Sequence, residues 1–370
     1  MHLIRADAVV LDGKLCRPGW VQIAGWQIFT CGSGNPPRPP DQDFPDCIVV
    51  PGFIDMHVHG GGGASYVDAE NIAAAADFHL GHGTTTTMAS LVTTSPDRLL
   101  ASVRALAEAT RDGTLAGIHL EGPWLSTARC GAHDPAQMRD PDPVEIDELL
   151  AAADGAIRMV TLAPERPGSG EAIRRLREAG VVVAVGHTDA TYELTRQAIA
   201  LGATVGTHLF NAMPPLNHRE PGAALALLEH PDVTVELIAD GVHMHPAMAL
   251  AAMRAAGADR VALITDAIAA AGCADGSYQL GGVAIEVESG VARVHGTNTI
   301  AGSTVTMDQL VRTAAAQAGL EPAVRMTSAT PARALGLQHV GELRAGYDAN
   351  LVVLDRDLRV TAVMRRGHWR

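Results

Sequence analysis

Lysine is all but missing from this chain. Lys14 is the only one, and arginine supplies the other fixed positive charges. No basic run occurs and the net charge is −13, so the electrostatic footprint of a nucleic-acid partner is missing too. No apolar segment approaches the roughly 18 to 20 residues of a membrane span, which argues against a membrane partner. The N-terminus, Met1-His-Leu-Ile-Arg-Ala-Asp7, carries no signal-peptide pattern. Cysteine is sparse: Cys16, Cys31, Cys47, Cys130 and Cys273 are odd in number and form no C-x-x-C pair. That usage suits a reduced, cytoplasmic protein. What the chain does have is apolar surface. Hydrophobic residues make up 47% and charged ones 19%, the balance of a globular enzyme built on a buried sheet. At 370 residues, one large domain with a minor one is expected.

The two ends of the chain read alike. Leu3 to Val10 and Trp20 to Gly25 are short apolar segments broken by Gly and Pro, and Gly32 to Pro40 is a Gly/Pro-rich loop. Leu351 to Leu354 and Val360 to Met364 answer them near the C-terminus. Residues 1–50 and 337–370 are therefore read as one small β domain, a β-sandwich assembled from both termini. In residues 51–336, short apolar runs alternate with Ala/Leu/Arg helical patterns. The runs are Ile48–Val58, Thr84–Leu91, Leu115–Leu120, Ile157–Leu162, Val181–Val185, Ala203–Leu209, Val233–Ala239 and Val261–Thr265. Helices are expected at Ala69–Gly81, Ser95–Arg111, Glu145–Ala153, Gly170–Ala179, Thr191–Leu201, Gly222–His230 and Pro246–Ala256. The fold class is α/β, and the alternation suits a (β/α)8 TIM-like barrel, a fold of ~250 residues. A doubly wound sheet would open with a Gly-rich phosphate turn. Gly60 to Gly63 instead follow two histidines and open no clear helix. Val283 to His295, turning at Glu288-Ser-Gly290, reads as a β-hairpin after strand eight.

Polar residues recur where these runs end. His57 and His59 alternate at the end of the first, in Pro51-Gly-Phe-Ile-Asp-Met-His-Val-His59. Two residues apart on an extended strand, they share a side and can reach one cation. Taken alone, two alternating strand histidines could be ordinary. Glu121 ends the third run, His187 the fifth and His208 the sixth; Asp240 and His243 end the seventh, and Asp266 the eighth. In a barrel these ends share one face, where barrel enzymes carry their active sites. Single strand-end histidines or helix-capping aspartates are commonplace. Ligand-type residues at the ends of six strands point instead to a metal site. Three imidazole or carboxylate ligands with one open position form a catalytic site, in which a cation acidifies water to a pKa of about 7. Zinc comes first, with iron, cobalt and manganese also suited.

The strings His119-Leu-Glu-Gly-Pro, Gly131-Ala-His, Gly186-His-Thr, His208-Leu-Phe-Asn-Ala-Met, Arg219-Glu-Pro-Gly, Asp240-Gly-Val-His and Thr265-Asp-Ala resemble the N-acetylglucosamine-6-phosphate deacetylase family of the amidohydrolase superfamily. The resemblance spans nearly the whole chain. It implies Glu121, His187 and His208 as principal metal ligands, and His57 and His59 as a second-metal pair that some members lack. Asp266 matches a catalytic acid/base that can also touch metal, so one or two divalent ions per subunit are implied. Ala132 and His133 match the acetamide-binding segment, and His133 also serves catalysis. Asn211, Ala212, Asp240, His243 and the late loop Ile300-Ala301-Gly302 match the substrate side. Arg219 matches a phosphate-binding arginine that reaches the partner's site in a homodimer. Implied with them is a phosphorylated amino sugar as substrate, N-acetyl-D-glucosamine 6-phosphate, hydrolysed to glucosamine 6-phosphate and acetate.

Many amidohydrolases bridge two metals with a carboxylated lysine after strand four. Here that strand ends Thr161-Leu-Ala-Pro-Glu165 and Lys14 lies elsewhere, so Glu121 is the bridging ligand if two ions bind. The alternatives are an amidohydrolase for another N-acetylated sugar or amide, and a non-catalytic, metal-stabilised sugar-phosphate binding protein. Asp266 speaks against the last, since a binding protein has no need of a proton carrier beside the metal. His79 and His82 read as a solvated helix end, with a ligand pair as the alternative. Cys130 reads as a loop thiol or a redox sensor, Trp124 as pocket lining or packing, and Thr84 to Thr87 as strand core.

Overall fold

A computed structural model describes residues 1–370. Eight parallel strands follow one another in chain order: Phe53–Asp55, Thr84–Val92, Gly117–Glu121, Ile157–Leu162, Val182–Val185, Ala203–Gly206, Thr234–Leu237 and Val261–Leu263. Most of their residues are buried, as parallel strands under helices must be, with Arg158 and Thr204 among the exceptions. The connecting helices Ile72–Gly81, Pro96–Arg111, Pro143–Ala153, Ser169–Glu178, Tyr192–Leu201, Gly222–Glu229 and Pro246–Ala256 lie within a few residues of the expected spans. Local chemistry sets their starts. Asp142 accepts from Val144 N–H at 2.9 Å and Thr191 from Leu194 N–H at 3.2 Å, satisfying helix donors that have no partner inside the helix.

Met56, Met88, Met159, Ala184, Val205, Ile238, Ala262 and Ile264 pack into one buried cluster with Leu335. The first and eighth strands share no ladder. They are stitched just beyond their ends, where Asp266 N–H donates to His57 O at 2.9 Å and His59 N–H to Ala267 O at 2.8 Å. Asp55 accepts from the Thr265 hydroxyl at 2.5 Å and from its N–H at 3.3 Å. The closing seam therefore carries three of the site residues.

The run Ile48–Val58 is two strands, not one. Gln42–Pro51 belongs to the terminal sheet, where Pro51 pairs with Leu351, and only Phe53–Asp55 enters the barrel. Gly52 is the hinge: a Cβ there would collide with the Thr85 side chain. The terminal sheet mixes strands from both ends, pairing Gln42–Pro51 with His2–Leu11 on one side and Leu351–Leu354 on the other. The hairpin at Val283–Val294 gains a third strand, Gly276–Leu280. Helices over Met307–Ala334 complete the fold; their pattern was not among the expected elements. No helix is long and apolar enough to cross a membrane.

His79 departs from expectation. It is buried, not solvated, and its ring Nε2 lies 2.9 Å from Gly60 O, to which it must donate. Burial, with His82 nearby, lowers its pKa from 6.5 to about 4. The folded pKa thus lies below the unfolded one, so the stabilisation is complete above pH 6.5 and drains away as pH falls towards 4. The loss amounts to about 3 kcal/mol if unmet elsewhere. Thermal midpoints at neutral pH and at about pH 4.5 should fall further apart for the native chain than for His79→Gln. Equal acid sensitivity would remove His79 from the account. His82 pairs instead with Asp308, at 3.1 Å.

Candidate metal-dependent active site

At the C-terminal ends of the strands, six side chains close on Glu121. Its Oε1 lies 3.0 Å from both His187 Nε2 and His208 Nε2 and 3.5 Å from His57 Nε2. Its Oε2 lies 3.3 Å from His59 Nε2 and 3.2 Å from His133 Nε2. Asp266 Oδ1 lies 3.1 Å from His59 Nε2 and 3.4 Å from His57 Nε2. All of these residues are buried.

The partners behind each ring sort the histidines. His59 Nδ1 faces Ser90 O at 3.1 Å and His187 Nδ1 faces Arg129 O at 2.9 Å. His57 Nδ1 faces the Glu236 carboxylate at 3.1 Å. Carbonyls and carboxylates only accept, so these rings carry their proton on Nδ1 and turn an Nε2 lone pair inward. His133 is the opposite case. Thr93 N–H donates to its Nδ1 at 3.1 Å, so the proton of the neutral ring sits on Nε2 and points into the site as a donor.

The residues fit a divalent cation on two independent counts. His57 Nε2 is buried with no hydrogen-bond partner, and His187 and His208 bring their Nε2 atoms within 3.1 Å of each other. Lone-pair atoms gather this closely where a shared cation can hold them. The field agrees. Burial alone would lower the His57 and His59 pKa values, but Glu121, Glu236 and Asp266 pull His57 well up and Glu121 with Asp266 pull His59 up to about 9. The cluster demands positive charge. His57, His59 and Asp266 can form one ligand group. Glu121 and His187 belong to another, with either His133 or His208 as third member; His208 is the better donor, because its Nε2 lies 3.0 Å from Glu121 Oε1 and 3.1 Å from His187 Nε2, whereas His133 Nε2 carries a proton.

The backbone is bent to deliver these side chains. His187, His208 and Asp266 all have left-handed φ, at 46°, 26° and 49°, which non-glycine residues seldom hold outside functional sites. Gly302 packs against the last of them; a Cβ there would sit 2.8 Å from Asp266 O. The cluster forms the floor of a cavity of about 430 Å³, walled by Cys130, Asn211, His243 and Ile300 among others.

The amidohydrolase family model matches residues 48–370, from the last terminal-sheet strand before the barrel to the C-terminus. The chain belongs to the amidohydrolase family. It is 38% identical to the N-acetylglucosamine-6-phosphate deacetylase of Lysinibacillus sphaericus, covering 87% of this chain and 85% of that one. It is 37% identical to an N-acetylgalactosamine-6-phosphate deacetylase of Escherichia coli O157:H7, covering 86% and 87%. Among solved structures, a mutant of the Mycobacterium smegmatis N-acetyl-D-glucosamine-6-phosphate deacetylase in complex with N-acetyl-D-glucosamine 6-phosphate superimposes with a TM-score of 0.98. It is 54% identical, over 100% of this chain and 98% of that one.

In this amidohydrolase the other expected residues fall into four sets. Ala132, Asn211, Ala212, His243, Ile300 and Gly302 line the cavity with His133. Asp240 is turned away from it: Oδ2 takes the His243 Nδ1 proton at 2.8 Å and Oδ1 takes the Val242 and His243 N–H groups at 2.8 and 2.9 Å. Its carboxylate is engaged by His243 and the backbone beside it. Ala301 is fully buried in the hairpin core. Arg219 is exposed on its loop, beside His218, and touches none of the cavity within one chain. Trp124 packs, with its indole N–H donating to Glu145 at 3.3 Å. Sequence reasoning passed over Glu236, His119 and Ser90. Ser90 Oγ lies 2.9 Å from His119 Nδ1 and takes the Val58 N–H at 3.0 Å, steadying the chain between the two leading histidines. A carboxylate inside the apolar run Val233–Ala239 was the available signal for Glu236.

Proposed function

We infer that the protein hydrolyses N-acetyl-D-glucosamine 6-phosphate to glucosamine 6-phosphate and acetate. The carrying observation is the sorting of the site: inward lone pairs on His57, His59 and His187, one inward N–H on His133, and the Asp266 carboxylate, all around Glu121 under one cavity. Its family membership and the deacetylases among its relatives point the same way.

We propose His57, His59, Glu121, His187, His208 and Asp266 as the ligands of one or two divalent ions, zinc foremost. A bound cation polarises a carbonyl and makes water acidic enough to ionise near neutral pH. The chain's own groups supply the rest. His133 Nε2–H donates to the acetamide oxygen as negative charge grows on it. Asp266 takes a proton from the attacking water and hands it to the departing amine nitrogen, which leaves poorly without one. His243, held by Asp240, faces the phosphate, and Asn211, Ala212 and the segment around Ile300 bound the sugar.

Arg219 is exposed and remote from its own cavity, so we propose a homodimer in which it reaches the site of the other subunit. A guanidinium fork suits a phosphate dianion. Arg219→Ala should then lower kcat/KM for the phosphorylated sugar by about 10- to 150-fold and barely change it for the unphosphorylated one. Mixed Arg219→Ala and Asp266→Asn subunits should regain activity. An obligate monomer, or equal losses on both sugars, would sink this part. A cytoplasmic location and a division into 1–50 with 337–370 against 51–336 belong to the same proposal.

The test of the reaction is acetate release from N-acetylglucosamine, its 6-phosphate and N-acetylgalactosamine 6-phosphate. The glucosamine-type 6-phosphate should be the preferred substrate. Preference for the galactosamine epimer would reassign the substrate, and no acetate from any of them would overturn the function.

A further inference from the structure

We propose that Glu236 is a positioning residue that couples the two ligand groups and sets the affinity of both for zinc. Glu236 sits in the seventh strand between Val235 and Leu237, and its side chain is fully buried. A carboxylate in that setting is unfavourable unless hydrogen bonds meet it. Its Oε2 accepts two, from the His57 ring Nδ1–H at 3.1 Å and from the His208 backbone N–H at 3.1 Å, while its Oε1 is buried without a hydrogen-bond partner.

The first bond decides which nitrogen of His57 is bare. With the proton held on Nδ1, only Nε2 can act as a ligand atom, and it is the buried atom left without a hydrogen-bond partner. The second bond pins the chain where it turns left-handed, at His208 with φ 26°. The His208 ring has no anchor of its own behind it, since its Nδ1 is also buried and unpartnered. Its orientation is inherited from the backbone that Glu236 holds. One oxygen thus governs a histidine from each group, the arrangement in which partners behind metal ligands tune affinity.

This inference rests on the reading of the cluster as a metal centre, and zinc titration of chelator-stripped protein separates the two. Glu236→Ala should weaken every zinc equivalent the native chain binds, by about 10- to 100-fold. His57→Ala should weaken only one. Glu236→Gln keeps an acceptor oxygen and should recover most of the loss. Native protein that takes up no zinc overturns the metal centre and this inference with it. Zinc binding unchanged in Glu236→Ala, or Glu236→Gln as weak as Glu236→Ala, overturns this inference alone. If the variants fail to fold, neutron diffraction on the unaltered, zinc-loaded protein decides: deuterium on His57 Nδ1 supports the role, and its absence from Nδ1 overturns it.

Discussion

Asp266→Asn should lower turnover by at least about 10²- to 10⁴-fold, the usual contribution of a general acid–base group. Asparagine keeps the shape and one oxygen but carries no proton between water and amine. Burial would raise its pKa, but the charge of His57 and His59 alongside draws it down, so it is ionised at neutral pH. Its position is enforced from both sides: its N–H is bonded to His57 O at 2.9 Å, and its carbonyl takes Ser303 N–H at 2.7 Å. The variant should still bind metal and the phosphorylated sugar, and steady-state kinetics with metal analysis would show the loss in kcat. Turnover above about a tenth of the native value would identify another base.

Glu121→Ala should abolish metal binding and activity together. Alteration behind a ligand costs about 10- to 100-fold in affinity; removing this carboxylate goes further. Both oxygens are engaged, one within 3.0 Å of His187 and His208 and the other within 3.3 Å of His59 and His133. Without Glu121, the buried nitrogens of both groups lose the anion between them, and a cation placed there loses a ligand from either side. Metal analysis of the purified variant, with activity measured after zinc is restored, is the check. Full metal content or full turnover in Glu121→Ala would contradict the site as built.

Legibility differed from residue to residue. The helices Pro96–Arg111 and Pro246–Ala256 were readable to within a residue because a proline opens each one. Ile48–Val58 misled, because a continuous apolar run does not say that Gly52 divides it between two sheets. His79 misled because its position at a helix end suggests solvent, whereas Gly60 O and the packed turn around it lie in another part of the chain. Glu236 and His119 were hidden for a related reason. Each lies inside a strand, and its partner, His57 beyond the end of the first strand or Ser90 in the second, comes from a distant part of the chain.

The sequence by itself determined the alternation of strand and helix, the β character of both termini, and the set of ligand-type residues at strand ends. Those follow from local periodicity and from residue identity, which need no third dimension. Only the tertiary structure decided what each histidine does. His57, His59 and His133 are the same side chain, yet Glu236, Ser90 O and Thr93 N–H assign their protons differently. The same holds for Asp240, which the fold commits to His243, and for Arg219, which it leaves outside the cavity of its own chain. A protonation site is settled by the group across a hydrogen bond, and that group comes from whichever strand the barrel places next to it.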